Sequence, residues 1–213
     1  MLSAVGGLWT LLSLIVAGLS TFSFLQPYWY IHQRTLQSLG MYSFCLQDDL
    51  ASKIPEGYQA GPFTQACGLF GDYFDFGSLP SDAWQVSCVM YGGGCVVLVI
   101  CAMISVLVLC LPSSCDTRTA VLTGYVQTTA VVLLTAGLVI FPVGLESSVV
   151  QHYCPEASVY RPGTSCQIGW AYLLGIVATA LAFFAPFLAQ YTDISLDQRR
   201  LHSSPNKSSR VVV

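Results

Sequence analysis

Apolar positions in this chain fall into four blocks, about Leu2–Gln26, Trp84–Leu111, Ala120–Phe141 and Ile168–Gln190, and none of the four contains Asp, Glu, Lys or Arg. Crossing the hydrocarbon core of a bilayer takes roughly 20 apolar residues in a helix. With no water at that depth, backbone groups must bond within the segment, so each block predicts a membrane-spanning helix. Pro27, Pro112 and Pro142 stand directly after the first three blocks and mark their ends. The first block begins at the N-terminus but lacks a basic leading region. Its apolar run also exceeds the roughly 7–15 residues of a signal-peptide core, so it reads as a retained helix.

Between the first two blocks the pattern changes. Alternation in "LGMYSFCL" (39–46) predicts a strand, and the aromatic-rich "PYWYIHQ" (27–33) predicts another leaving the membrane. A lone hairpin is marginal in water and needs further strands or a helix to rest on. Tyr28, Trp29 and Tyr30 also suit the aromatic belt at the headgroups, as an alternative to contacting a ligand.

Composition supports a membrane protein: 54% of the 213 residues are hydrophobic and 9% charged, against roughly a quarter charged in soluble domains. The net charge is -3, and the longest basic run is Arg199-Arg200, so the clustered footprint of a nucleic-acid binder is missing. Arg118, Arg199, Arg200, Lys207 and Arg210 lie on the side of the short 112–119 loop and the 191–213 tail, against Arg34, Lys53 and Arg161 on the other. That asymmetry places both termini in the cytosol. Cys45 and Cys67 then lie in the long outer loop (27–83), and Cys154 and Cys166 in the second (142–167). Four cysteines in an oxidising space allow three pairings. Cys45–Cys67 and Cys154–Cys166 are favoured because each closes a short loop within one segment. Cys88, Cys95, Cys101, Cys110 and Cys115 fall in or just after the second block and read as small packing residues; Cys110 and Cys115, at the cytosolic edge, are also candidates for palmitoylation.

Several motifs carry a family resemblance. "GMYSFC" (40–45), with Trp29 before it and Cys67 after it, resembles the Trp…Gly-Leu-Trp-x-x-Cys…Cys signature of claudin-like tetraspans, with Met41 and Tyr42 in place of Leu and Trp. A closer resemblance is to the lipoma HMGIC fusion partner-like (LHFPL) tetraspan family. It is carried by "FLQPYW" (24–29), "FDFGSLPSDAW" (74–84), "FPVGLESSVVQHYC" (141–154) and "CQIGWAY" (166–172), in order over about residues 8–190; Leu145 departs from the family's Trp. The resemblance implies an all-α membrane fold: a left-handed bundle of four transmembrane helices with a small antiparallel extracellular β-sheet in a tetraspan domain (1–190). The remaining residues, 191–213, lie outside the resemblance and read as a disordered cytosolic tail. The resemblance places Trp29, Gly40, Tyr42 and Trp84 in the extracellular cap. Studied members of the family act as accessory subunits of inhibitory pentameric receptors with synaptic adhesion proteins, or of the hair-cell mechanotransduction complex.

Small residues recur four apart in the spans, at Ser13 and Ala17, Gly124 and Thr128, Gly175 and Thr179, and Ala178 and Ala182. Such faces let helices approach closely, within the bundle or against a partner. "YGGGC" (91–95) adds Gly92, Gly93 and Gly94 as a groove for a helix or lipid. No catalytic, cofactor or metal constellation emerges. His152 stands near Glu146 and Glu156 in sequence but reads as a solvated loop histidine. Gln127, Thr128 and Thr129 read as interhelical hydrogen-bonding groups, and the spans otherwise show no polar stripe. Val211-Val212-Val213 fits the C-terminal carboxylate pattern of a PDZ-domain ligand. The expected protein is therefore an integral, non-enzymatic plasma-membrane tetraspan. It sits among membrane lipids, binds a partner's transmembrane helices and ectodomain, and serves as an accessory subunit of a receptor, channel or adhesion complex. Claudin-like cell–cell adhesion or barrier formation is the alternative, and a transporter or channel pore the third.

The only asparagine, Asn206, forms a glycosylation sequon in "NKS" within the tail. With the tail in the cytosol it stays unmodified. An endoglycosidase-sensitive mass shift abolished by Asn206→Gln reverses the assigned side.

Overall fold

The computed structural model describes residues 4–33, 37–47, 65–70, 77, 79–110 and 116–191. Cys115, the tail from 192 onward with Asn206 and Val211–Val213, and the side chain of Cys110 lie outside the described residues. Helix α1 runs Ala4–Leu25, α2 Asp82–Cys110, α3 Asp116–Ile140, a short α4 Ser148–Tyr153, and α5 Trp170–Ala182. A 3₁₀ turn, Phe141–Glu146, joins α3 to α4. After a break at Phe183 the fourth span continues as α6 over 184–191. The break has a local cause, because Pro186 has no N–H for the carbonyl of Ala182. Four segments are long and apolar enough to cross a membrane: Val5–Leu25, Asp82–Leu109, Thr119–Glu146 and Trp170–Tyr191. The second helix starts two residues before the predicted Trp84 because Ser81 caps it, its Oγ accepting from Trp84 N at 3.2 Å.

The strands are β1 Tyr30–His32, β2 Ser38–Leu39, β3 Ser43–Gln47, β4 Gln65–Leu69 and β5 Cys166–Ile168. They form one antiparallel sheet in the order β4-β3-β2-β1-β5. The single strand expected over 39–46 is instead two strands folded into a hairpin. Leu39 pairs with Phe44, and Gly40 N donates to Ser43 O at 2.7 Å, so the chain reverses at Met41-Tyr42. Gly40 fits there because the hairpin lies against the end of α1. A Cβ on it would stand 2.7 Å from both Gln26 O and Pro27 Cα. The structure bonds Cys45 to Cys67 and Cys154 to Cys166. The first pair sits on directly opposed residues of β3 and β4, and the second ties the end of α4 to β5.

Neighbouring helices pack α1 on α2, α2 on α3, and α1 on the fourth span, with a slighter contact between α3 and the fourth span. The closest approach is α2 on α3 at Gly137, where a Cβ would stand 2.8 Å from the backbone nitrogen of Tyr91. One expectation changes here. The inner face of α1 does carry a polar stripe, the buried Thr10, Ser13, Ser20 and Ser23. Part of it bonds across helices: Ser13 Oγ accepts from Gln127 Nε2 (2.8 Å) and Ser23 Oγ donates to Ala171 O (2.7 Å), while Thr10 Oγ1 is shared between Gly6 O of its own helix (3.0 Å) and Ser105 O (3.3 Å). Gln127 also accepts from Trp9 Nε1 at 3.1 Å. Thr128 and Thr129 face outward instead and donate to their own helix, at Gly124 O and Tyr125 O. The stripe is hard to see in the sequence because serines and threonines spaced along an apolar run do not cluster.

Removing the Cys45–Cys67 bridge, whose partners are 22 residues apart, frees the β3–β4 pairing. The loop-entropy model gives about 3 kcal/mol for a closed loop of this size. Cys45→Ser lowers the unfolding midpoint of the purified protein, while Cys88→Ser, in the apolar core, costs much less. Peptide mapping under non-reducing conditions that links Cys45 to Cys154 or Cys166 overturns the assigned pairing.

Candidate functional site: the sheet–bundle junction and the open helix faces

Two prolines shape the junction. Pro27 lacks the N–H that would bond Ser23 O one helical turn back, and Pro142 lacks the one for Leu138 O. At the first position the indole of Trp29 donates to Ser23 O at 2.9 Å, beside a longer bond from Gln26 N at 3.3 Å. At the second, Tyr172 OH donates to Leu138 O at 3.0 Å. Neighbouring carbonyls at the same helix ends are also met by side chains. Tyr42 OH donates to Leu25 O (3.2 Å), Ser87 Oγ to Gly137 O (2.7 Å) and Tyr160 OH to Val139 O (2.8 Å). The start of α5 is held from the sheet, with Ala171 N donating to Tyr28 O (3.2 Å) and Gly169 N to Trp29 O (2.7 Å). Gly169 passes so near Tyr28 O that a Cβ would overlap it.

The rings that bring these donors also fill the junction. Phe141 is the hub, with ring centroids 4.7 Å from Trp84, 4.8 Å from Trp29 and 5.4 Å from Tyr30. Trp29 also meets Tyr91 edge-on at 5.3 Å. Trp29, Trp84, Tyr91 and Phe141 are fully buried, and Tyr30 nearly so. This corrects the belt expectation for Trp29 and Tyr30, which are core residues beneath the sheet. Tyr28 stays half-exposed and stacks on Trp170, whose ring is also exposed. Tyr42 is half-buried, its ring 5.1 Å from Phe24. Burial, chiefly, pushes the phenols of Tyr30 and Tyr42 above their ordinary value, so Tyr42 remains a protonated donor throughout the physiological range. Leu145, where the family pattern has Trp, lies inside the same core with Trp84, Phe141 and Val150. The departure therefore changes core volume and leaves the surface alone.

The small residues of the spans divide by what stands opposite them. A Cβ at Gly92 would meet the Phe24 ring at 3.0 Å, and one at Gly94 would meet Leu134 Cγ at 2.9 Å. One at Gly124 would meet Ala189 at 2.9 Å, and one at Gly175 would meet Ser23 Oγ and Tyr91 OH, both at 2.9 Å. Thr179 is buried beside Gly175 on α5. Its hydroxyl, with those of Ser20 and Ser23, surrounds Tyr91 OH, although Tyr91, Ser20 and Thr179 fall short of direct hydrogen-bond geometry. Gly93 differs, with nothing within 4 Å of its Cβ position, and Gly7 and Gly18 on α1 are open in the same way. Around Gly93, Val86, Val89, Val96 and Ile100 are exposed on the outer face of α2. Three glycines in a row on a helix place successive positions 100° apart, so the run necessarily divides between faces, and sequence alone does not say which residue points where.

Among the described residues no group of three His, Cys, Asp or Glu side chains gathers to hold a metal ion. His152 is exposed, its ring 5.5 Å from that of Tyr153. The junction thus holds donors spent on backbone carbonyls and rings spent on packing.

The family sequence model described as "Lipoma HMGIC fusion partner-like protein" matches residues 5–191. The chain is 29% identical over 192 residues to the LHFPL tetraspan subfamily member 7 protein of Xenopus tropicalis, covering 90% of this chain and 92% of that one. It is 24% identical to human member 2 over 224 residues (96% and 94%) and 25% identical to human member 3 over 190 residues (87% and 73%). Four apolar spans, a disulfide-bonded antiparallel sheet above them and a family match across the whole described length place this chain in the LHFPL tetraspan family of membrane proteins.

Proposed function

We propose that this protein is a non-enzymatic accessory subunit of the plasma membrane that associates laterally with a receptor, channel or adhesion complex. Both termini face the cytosol, and the sheet faces the oxidising side, where its two disulfides persist. The observation that carries the reading is the open notch at Gly93. Lipid chains are as apolar as leucine, so helix association in a bilayer depends on close packing at small residues and not on hydrophobic burial. Gly92, Gly94, Gly124 and Gly175 spend their space inside the bundle, whereas Gly93 offers its space outward, between Val89 and Val96. A partner helix lies along this face of α2, and the cap above contacts the partner's ectodomain. The hydroxyl stripe of α1 favours the same reading over a pore, because Ser13 and Ser23 are spent on bonds to neighbouring helices and Thr10 on bonds to its own helix and to α2.

Gly93→Leu fills the notch without touching the bundle. It reaches the cell surface at the wild-type level, and recovery of the partner in mild detergent falls about tenfold, the loss expected from about 1.4 kcal/mol of packing. Gly94→Leu drives a side chain into Leu134 and costs about 1–3 kcal/mol of stability by overpacking. Removing residues 199–213 leaves partner recovery intact. Normal recovery with a folded Gly93→Leu protein excludes this face. Clustering at contacts between two expressing cells supports adhesion in its place, and ion conduction by the purified protein in a bilayer contradicts the accessory role.

A further inference from the structure

The loop closed by Cys154 and Cys166 contains a tight reversal in which Ser158 and Arg161 exchange backbone hydrogen bonds, both at 2.9 Å. Its corner residue Tyr160 has φ +60, a left-handed conformation uncommon for an aromatic residue. That backbone turns the side chain toward the membrane, where Tyr160 OH reaches Val139 O at 2.8 Å. Val139 lies in the last turn of α3 and Val143 just beyond it, and both are exposed on the outer surface of the third span. Tyr160 itself is 57% exposed and Val159 37%. The ring therefore lies at the exposed edge of the junction, at the upper boundary of the span. Tyrosine favours that depth, its body apolar and its tip polar. The next residue is Arg161, also exposed. The acidic residue of the loop, Glu156, is held elsewhere, its carboxylate accepting from Thr164 Oγ1 at 3.1 Å.

We propose that the 158–161 turn is a lipid-headgroup clamp: Val159 and Tyr160 enter the interfacial layer beside α3, and the Arg161 guanidinium holds a phospholipid phosphate. Two features select this occupant. Exposed apolar side chains stand on both the span (Val139, Val143) and the turn (Val159, Tyr160), and the Tyr160–Val139 hydrogen bond brings the two together. An exposed arginine on such a turn also complements a phosphodiester, to which it presents a planar fork of donors. The strained corner at Tyr160 holds the turn at that height.

The test places the photoreactive residue p-benzoylphenylalanine at position 159 of the full chain in phosphatidylcholine nanodiscs, with intact-mass analysis after irradiation. The clamp yields an adduct of one phospholipid mass. Arg161→Gln reduces it several-fold, and Tyr160→Phe, which deletes only the hydroxyl that sets the height, reduces it as well. Each variant is first shown by non-reducing mass to retain both disulfides. No lipid adduct, a crosslink to a second copy of the chain in its place, or an adduct unchanged by Arg161→Gln overturns the proposal.

Discussion

The fold depends on how a helix ends at the edge of a lipid layer. A proline stops a helix but leaves the carbonyl one turn back without its donor, and in a poorly hydrated region an unpaired carbonyl costs about 1–3 kcal/mol. Pro27 and Pro142 each create this problem at the sheet end of a span. At both sites an aromatic side chain with an apolar body and a polar tip supplies a donor, Tyr172 to Leu138 and Trp29 to Ser23, where it joins a longer bond from Gln26 N. Because the donors are large rings, satisfying the carbonyls also fills the space between sheet and helices around Phe141.

This arrangement makes the cap and the bundle one mechanical unit. Trp29 directly precedes β1, Tyr42 sits in the β2–β3 turn, and Tyr160 belongs to the loop closed by the second disulfide. Each reaches down to a helix carbonyl. Interior positions are correspondingly committed, and even the glycines there are close approaches. Freedom to engage other molecules is left to the outer surfaces, namely the open face of α2 at Gly93, the upper face of the sheet and the turn beside α3. That division suits the accessory role proposed above: a stiff body that presents surfaces to a partner.

The four spans were legible because lipid excludes charge, and a charge-free apolar block of about 20 residues matches the thickness of a bilayer core. Sheet and disulfides were partly legible. Alternation revealed a strand around Cys45, but it did not reveal that Gly40 ends one strand and lets the next begin. That break comes from the end of α1 lying against the hairpin, a contact between residues distant in sequence. Strands as short as Cys166–Ile168 carry too few positions for any period. Trp29 illustrates what the sequence left open. An aromatic residue just past a span reads as a headgroup anchor or as a residue of the extracellular cap, and only the position of the sheet decides. The exposed Trp170 and the half-exposed Tyr28 stacked on it occupy the outer positions instead.

A double-mutant cycle at Pro142 and Tyr172, read by unfolding of the purified protein in detergent, tests the capping account most directly. Tyr172→Phe alone removes the donor to Leu138 O and costs about 1–2 kcal/mol. Pro142→Ala restores a backbone N–H within reach of the same carbonyl, so in that background the loss from Tyr172→Phe falls to less than half. Equal losses in the two backgrounds contradict the account, because Tyr172 would then stabilise the junction by packing alone and not as the donor that the proline withholds.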